Sequence, residues 1–210
     1  MKPLHLIVQA FGPYADQQEV NFEPLEEQGV FLLTGPTGAG KTSLFDAISF
    51  ALYGESSGAV RGADTLRSHH APIALLTEVT FTFVLRGKVY KVKRSPKQER
   101  PKARGSGTTT FTGEAVLWCL SDETEPIVGI REVNEAIYQL LQVNAEQFRQ
   151  IIMIPQGEFR QLLVADSRSR QDILSRLFGT QHYEAIDLWL QAEFQKLERE
   201  MSDGLKAIKM

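Results

Sequence analysis

The run Gly35-Pro36-Thr37-Gly38-Ala39-Gly40-Lys41-Thr42-Ser43 has the GxxxxGK[ST] spacing of a loop that grips a nucleoside triphosphate. Its glycines let the backbone aim successive N–H groups at phosphate oxygens, and the N-terminus of the helix that follows adds the positive end of its dipole. Lys41 supplies a mobile cation for the β- and γ-phosphates, and the Thr42 hydroxyl is placed to ligate magnesium. A glycine turn ahead of an ordinary helix would account for the glycines but not for the Lys-Thr pair.

The flanks supply the elements that must position this loop. Val30 to Thr34 is an apolar run expected as a buried strand entering it, and Leu44 to Leu52 as a helix leaving it and stopping at Gly54. Upstream, Leu4 to Phe11 and Glu19 to Phe22 are expected strands separated by the turn Gly12-Pro13. Gly54 to Pro72 is loop-rich. From Leu75 to Leu85, Val79, Phe81 and Phe83 alternate with Glu78, Thr80 and Thr82, the period of a half-buried strand, and Lys88 to Arg94 pairs with it through a turn at Arg86-Gly87. Phe111 to Leu120 continues an antiparallel sheet. Beyond Pro126 the pattern is helical, with Val133, Ile137, Leu140 and Leu141 on one stripe and a break around Ile154-Pro155-Gln156-Gly157. The fold class is therefore α/β, a phosphate-loop NTPase with a mixed sheet and an antiparallel β region.

At the C-terminal end, Tyr183, Ile186, Leu190, Phe194, Leu197, Met201, Leu205 and Ile208 recur every three or four residues, with charged residues between them. So narrow a stripe needs its own domain or a second helix to cover it, and its persistence almost to the last residue favours a coiled coil. Charge is uneven as well. Between Arg86 and Arg104 nine Lys/Arg face the single acid Glu99, a local +8 in a chain whose net charge is −3. Beyond Arg94 this stretch opens into Pro96, Pro101, Gly105 and Gly107, read as a long loop. A solvated tip and a contact to nucleic acid phosphates both accommodate it, with Lys91, Lys93, Arg94 and Lys97 as the contacts to neutralise.

The remaining composition sets the surroundings. With 42% hydrophobic residues in 210, the chain can bury one substantial core. The single cysteine, Cys119, excludes an intrachain disulfide and a cysteine-rich zinc site. The adjacent His69 and His70 lack the further ligands a metal would need. Neither a signal peptide nor a membrane-spanning run is apparent, so no membrane partner is expected and the cytoplasm is the expected location. Hydrolysis needs more than the loop: a carboxylate on a buried strand and a residue that orients water. No four-residue apolar run leads directly into Asp-Glu after Ser43, since Ser121 interrupts the approach of Val116–Leu120 to Asp122-Glu123. Ser-Gly-Gly and Asn-Lys-x-Asp motifs are absent too.

Four segments, in order, carry a family resemblance: Ala10-Phe-Gly-Pro-Tyr14, Gly35 to Glu55, Ile154-Pro-Gln-Gly-Glu-Phe159 and Arg170 to Thr180. Together they resemble the N-terminal lobe of the SbcC family, SMC-like ABC-type ATPase subunits of bacterial SbcCD nucleases. The resemblance implies an ABC/SMC head split in two, in which a C-terminal lobe brings the signature and the magnesium-binding carboxylate missing here. Residues 1–181 would form the N-terminal lobe, with its antiparallel β region at 75–120 and a helical region at 130–181; residues 182–210 would begin the coiled coil. Gln156 would be the Q-loop glutamine, reaching magnesium and the attacking water. Ser43 would add a hydroxyl to the α-phosphate, and Arg67, Ser68 and His69 would lie near base and ribose. Implied partners are the C-terminal lobe, a second head closing on ATP, the SbcD nuclease and double-stranded DNA, in a nucleoid-associated setting. One departure is Gly12, where more distant relatives carry Arg. An ABC transporter ATPase, a RecF- or RecN-like repair ATPase and a non-catalytic coiled-coil tether remain alternatives. Against the transporter stands the 115-residue separation of Gln156 from Lys41.

Overall fold

In the computed structural model, residues 1–28, 32–55, 66–102, 106–152, 166 and 181–208 are described, and they fall into two compact units, Met1–Ala145 and Glu146–Met210. The first is organised by alternation. Strands β1 (Lys2–Phe11), β2 (Tyr14–Asn21), β3 (Glu78–Leu85), β4 (Lys88–Ser95), β7 (Glu114–Cys119) and β8 (Ile127–Val128) form one antiparallel sheet in the order β2-β1-β3-β4-β7-β8. Because successive side chains point to opposite faces, the register aligns Leu6, Phe81, Val92 and Leu117 in one row across four strands, all buried. The parallel row is Val8, Val79, Arg94 and Ala115.

Helix α1 (Lys41–Tyr53) packs against β1, β3 and β4 with Ala47, Phe50, Ala51 and Leu52 buried, and the Phe50 ring meets Phe11 at 6.0 Å between centroids. Removing a side chain such as Phe81, fully buried here, would cost about 3–5 kcal/mol through lost transfer energy and the cavity left behind. Helix α2 (Ile130–Leu141) buries Val133 and Ile137 from the expected stripe. The β3–β4 hairpin turns at Arg86-Gly87 as anticipated, with Leu85 opposite Lys88.

Two expectations are corrected. Of the run Val30–Thr34, Val30 and Phe31 lie outside the described residues, and Leu32 to Thr34 belong to no strand, with Leu32 85% and Leu33 41% exposed. A strand is held by its neighbour's ladder bonds, and every described strand of the sheet is paired with another segment. Apolar composition alone could not make this run a buried strand. The segment after Arg94, read as a long loop, instead forms a two-stranded ladder of β5 (Gln98–Pro101) and β6 (Thr108–Phe111), with Arg100 over the Phe111 ring at 5.4 Å.

Helix α3 (Ala145–Ile152) opens the second unit, and α4 (Gln181–Ile208) within it is a 28-residue helix. The stripe residues Ile186, Leu190, Phe194, Leu197 and Met201 are all more than half exposed along α4.

Candidate nucleotide-binding site

The N-terminus of α1 lacks both a side-chain cap and an acid in its first turn. Its first-turn N–H groups are therefore unanswered by side chains, which is the arrangement that receives an anion. Lys41 opens this helix, and its ammonium folds over the preceding loop, donating to the carbonyls of Gly35 and Pro36 at 2.7 Å each. The loop turns at Thr37-Gly38 and closes with Ala39 N–H on Pro36 O at 3.3 Å. Thr42 is exposed beside Lys41, while Ser43 faces inward and is 8% exposed. Lys41 can exchange two carbonyl acceptors for two phosphate oxygens, and the Thr42 hydroxyl is free to meet a hydrated magnesium ion. The donor set thus fits a magnesium-nucleotide.

The loop rests on the end of β1. There the ladder with β2 shifts register between Gln9 and Phe11, at a bulge on Ala10, whose φ of 47° turns its carbonyl out of the sheet to accept from Ser68 N at 2.9 Å and Thr77 Oγ1 at 2.9 Å. The chain then reverses at Gly12, whose φ of 55° suits glycine and whose missing Cβ would sit 3.3 Å from Ser43 Oγ. An arginine at this position would be strained and would press on Ser43. Tyr14 follows, donating its hydroxyl to Gly40 O at 3.0 Å. Burial pushes the Tyr14 phenol above its ordinary pKa, so it remains a donor across the neutral range.

Arg67 and Ser68 lie alongside this platform, through the bridge of Arg67 with Phe11 and the bond from Gly12 N to Leu66 O at 2.8 Å. The Arg67 guanidinium is committed to protein acceptors: Pro72 O at 2.7 Å, Leu75 O at 2.8 Å, Gln98 Oε1 at 3.2 Å and Thr77 Oγ1 at 3.3 Å. Ser68 is 2% exposed, and its hydroxyl accepts from His70 N at 3.4 Å. Of the three residues expected near base and ribose, Ser68 is buried, Arg67 is half-buried and His69 is exposed. Gln156, the expected water-orienting residue, lies outside the described residues. Among the described residues no cluster of three or more His, Cys, Asp or Glu is placed to hold a metal ion, and no helix is long and apolar enough to cross a membrane.

The basic stretch needs one correction. Arg94 is 2% exposed and faces the core, where it donates to Ala51 O at 3.1 Å, Leu52 O at 3.2 Å and Asn134 Oδ1 at 2.8 Å. It closes the C-terminal end of α1 and ties it to α2, so it has no surface to offer a nucleic acid. Lys93 pairs with Glu78 at 2.7 Å and Lys91 lies 5.6 Å from the Trp118 ring centroid, while Lys97, Arg100 and Lys102 stand exposed on and around β5. Sequence reasoning missed the work of Tyr14, Thr77, Gln98 and Arg94. Arg94 carried a usable signal: it sits two residues from Val92 and so shares its inward face. Gln98 carried none, because its bonds to Thr77 N at 2.8 Å and Thr77 O at 3.0 Å come from 21 residues away.

Over residues 5–209 the sequence matches the family described as AAA domain. The chain belongs to that family. It is 41% identical over 211 residues to the SbcC subunit of the SbcCD nuclease of Vibrio cholerae serotype O1, a match covering 100% of the chain and 21% of that relative. It is 38% identical over 216 residues to the SbcC subunit of the SbcCD nuclease of Staphylococcus aureus strain JH9, covering 99% of the chain and 20% of the relative. This AAA domain chain therefore spans about a fifth of the length of the curated relatives it matches. The likeness to SbcC that the four motifs carried is shown by these relatives. The chain is an AAA domain with a mixed α/β fold, its described strands forming an antiparallel sheet.

Proposed function

We propose that the chain is the nucleotide-gripping part of a composite ATPase of the ABC/SMC head type, acting within a nuclease complex of the SbcCD kind. The observation that carries this reading is Lys41 at the uncapped start of α1, its ammonium held over the loop by the Gly35 and Pro36 carbonyls. The loop Gly35 to Ser43 binds ATP, with Gly35, Pro36, Thr37, Gly38, Ala39 and Gly40 presenting backbone to the phosphates. Thr42 and Gln156 would hold Mg2+, which when bound neutralises charge on the β- and γ-phosphates. Gln156 orients water, Ser43 adds a hydroxyl, and the Arg67–His69 segment borders the base and ribose. Residues 1–181 form the N-terminal lobe. A C-terminal lobe of the same ATPase supplies the missing carboxylate and signature, and a second head covers the nucleotide from its far side. Because the triphosphate would touch both heads only when they are closed, its binding energy favours the closed state.

The exposed stripe of α4 supports a coiled coil beginning at residue 182. An SbcD-type nuclease and duplex DNA are the proposed partners, in the cytoplasm at the nucleoid, with Lys97, Arg100 and Lys102 as phosphate contacts. Nucleotide binding measured with and without Lys41→Ala tests the reading. A large loss of ATP affinity in the variant is expected; equal affinity would leave only a coiled-coil tether. Magnesium-dependent turnover should appear when the C-terminal lobe is added, and its absence from the mixture would refute the composite site.

A further inference from the structure

We propose that Tyr14 is a positioning residue of the phosphate loop, aiming the Lys41 backbone N–H at the nucleotide by fixing the Gly40 carbonyl. The inference rests on the nucleotide reading above and deepens it. Gly40 occupies the left-handed region with φ 89° and ψ 9° at the start of α1. Its carbonyl accepts two donors, Leu44 N of the first helical turn at 3.3 Å and the Tyr14 hydroxyl at 3.0 Å. A trans peptide is planar, so the Gly40 C=O and the Lys41 N–H point in opposite directions. Holding the carbonyl from the helix side therefore directs the N–H out of the helix end, toward the anion.

The fit leaves little latitude. A Cβ on Gly40 would lie 2.6 Å from the Tyr14 oxygen and 2.8 Å from Pro13 Cγ, so the Gly12-Pro13-Tyr14 turn is pressed directly against this peptide. The long first-turn bond from Leu44 is weak by itself, which leaves the phenol as the shorter of the two restraints. Loss of the hydroxyl frees the peptide to rotate, and the N–H then spends part of its time misdirected.

The test uses the full-length protein with its C-terminal lobe, titrated with Mg-ATP and Mg-ADP. Tyr14→Phe keeps the ring and removes only the hydroxyl. Tyr53→Phe is the matched control, since Tyr53 also donates to a backbone carbonyl, Val143 O at 3.1 Å, but from the other end of α1, about 18 Å along the helix axis. Tyr14→Phe should raise the Kd for both nucleotides by about 2- to 10-fold, with the melting temperature of the nucleotide-free protein matching that of Tyr53→Phe. Tyr53→Phe should leave both Kd values at the wild-type level. Wild-type affinity in Tyr14→Phe, or equal weakening in both variants, overturns the positioning role. Lys41→Ala runs in parallel: a loss there with none in Tyr14→Phe sinks this inference alone, whereas no loss in Lys41→Ala sinks the nucleotide site itself.

Discussion

Arg94 offers a direct test, because its sequence context and its position in the fold point to opposite roles. It lies among nine basic residues between Arg86 and Arg104, yet it is 2% exposed and bonds to Ala51 O, Leu52 O and Asn134 Oδ1. Burial pulls the guanidinium down from its ordinary value to about 10, which corresponds to about 3 kcal/mol against holding the charge there. Against that stand the three acceptors, each costing about 2 kcal/mol if left unpartnered in the interior, or about 6 kcal/mol together. The acceptors win. Arg94→Met, which fills the space but satisfies none of them, should destabilise the chain by about 3 kcal/mol, read as a lower urea midpoint at unchanged slope in circular dichroism titrations. In the assembled complex the salt dependence of DNA binding should not change, since the side chain reaches no phosphate. Wild-type stability in Arg94→Met, or a shallower salt slope with stability intact, would refute the burial argument.

Other perturbations separate the surface from the core. Replacing Lys97, Arg100 and Lys102 together with Gln should lower the slope of log affinity against log salt by about 3 for duplex DNA, with urea stability unchanged; an unaltered slope removes the β5 contacts from the interface. Gln98→Leu leaves the Thr77 amide and carbonyl unanswered and should cost about 2–4 kcal/mol, visible as an earlier unfolding midpoint. Burial raises the Tyr53 phenol well above its ordinary value of 10, so above pH 10 the native state retains a proton that the unfolded chain has released. Stability should therefore fall as pH rises past 10, and Tyr53→Phe should flatten that fall in urea titrations at pH 9 and 11. An equal fall in both proteins would assign it elsewhere.

What could be read in advance was local or periodic. The β3–β4 hairpin followed from Val79, Phe81 and Phe83 alternating up to Arg86-Gly87, and α1 from a motif that dictates a helix start, with Gly54 ending it at φ 77°. The stripe of α2 placed Val133 and Ile137 inside. Pairing partners were harder to see. Leu32 and Leu33 have strand-like composition, but whether a strand forms depends on a neighbour that composition does not reveal. β5 and β6 hid in a stretch rich in Pro, Gly and charge because their anchor, Gln98, is satisfied by Thr77 rather than by anything local.

The phosphate loop shows the same dependence on distant residues. Its nine-residue motif prescribes a turn and a helix start, but the support beneath it is the displaced end of β1, and that end is under strain. A non-glycine residue in the left-handed region, as at Ala10, costs about 1–2 kcal/mol. The two bonds that accept this geometry, from Ser68 N and Thr77 Oγ1, contribute about 0.5–1.5 kcal/mol each, so neither alone reliably outweighs the strain. Both donors in turn depend on Arg67, which bonds Thr77 directly and adjoins Ser68 in sequence. Arg67 therefore contributes to the site by keeping the β1 bulge in place, through Tyr14 and Gly40, whether or not any part of it touches a nucleotide.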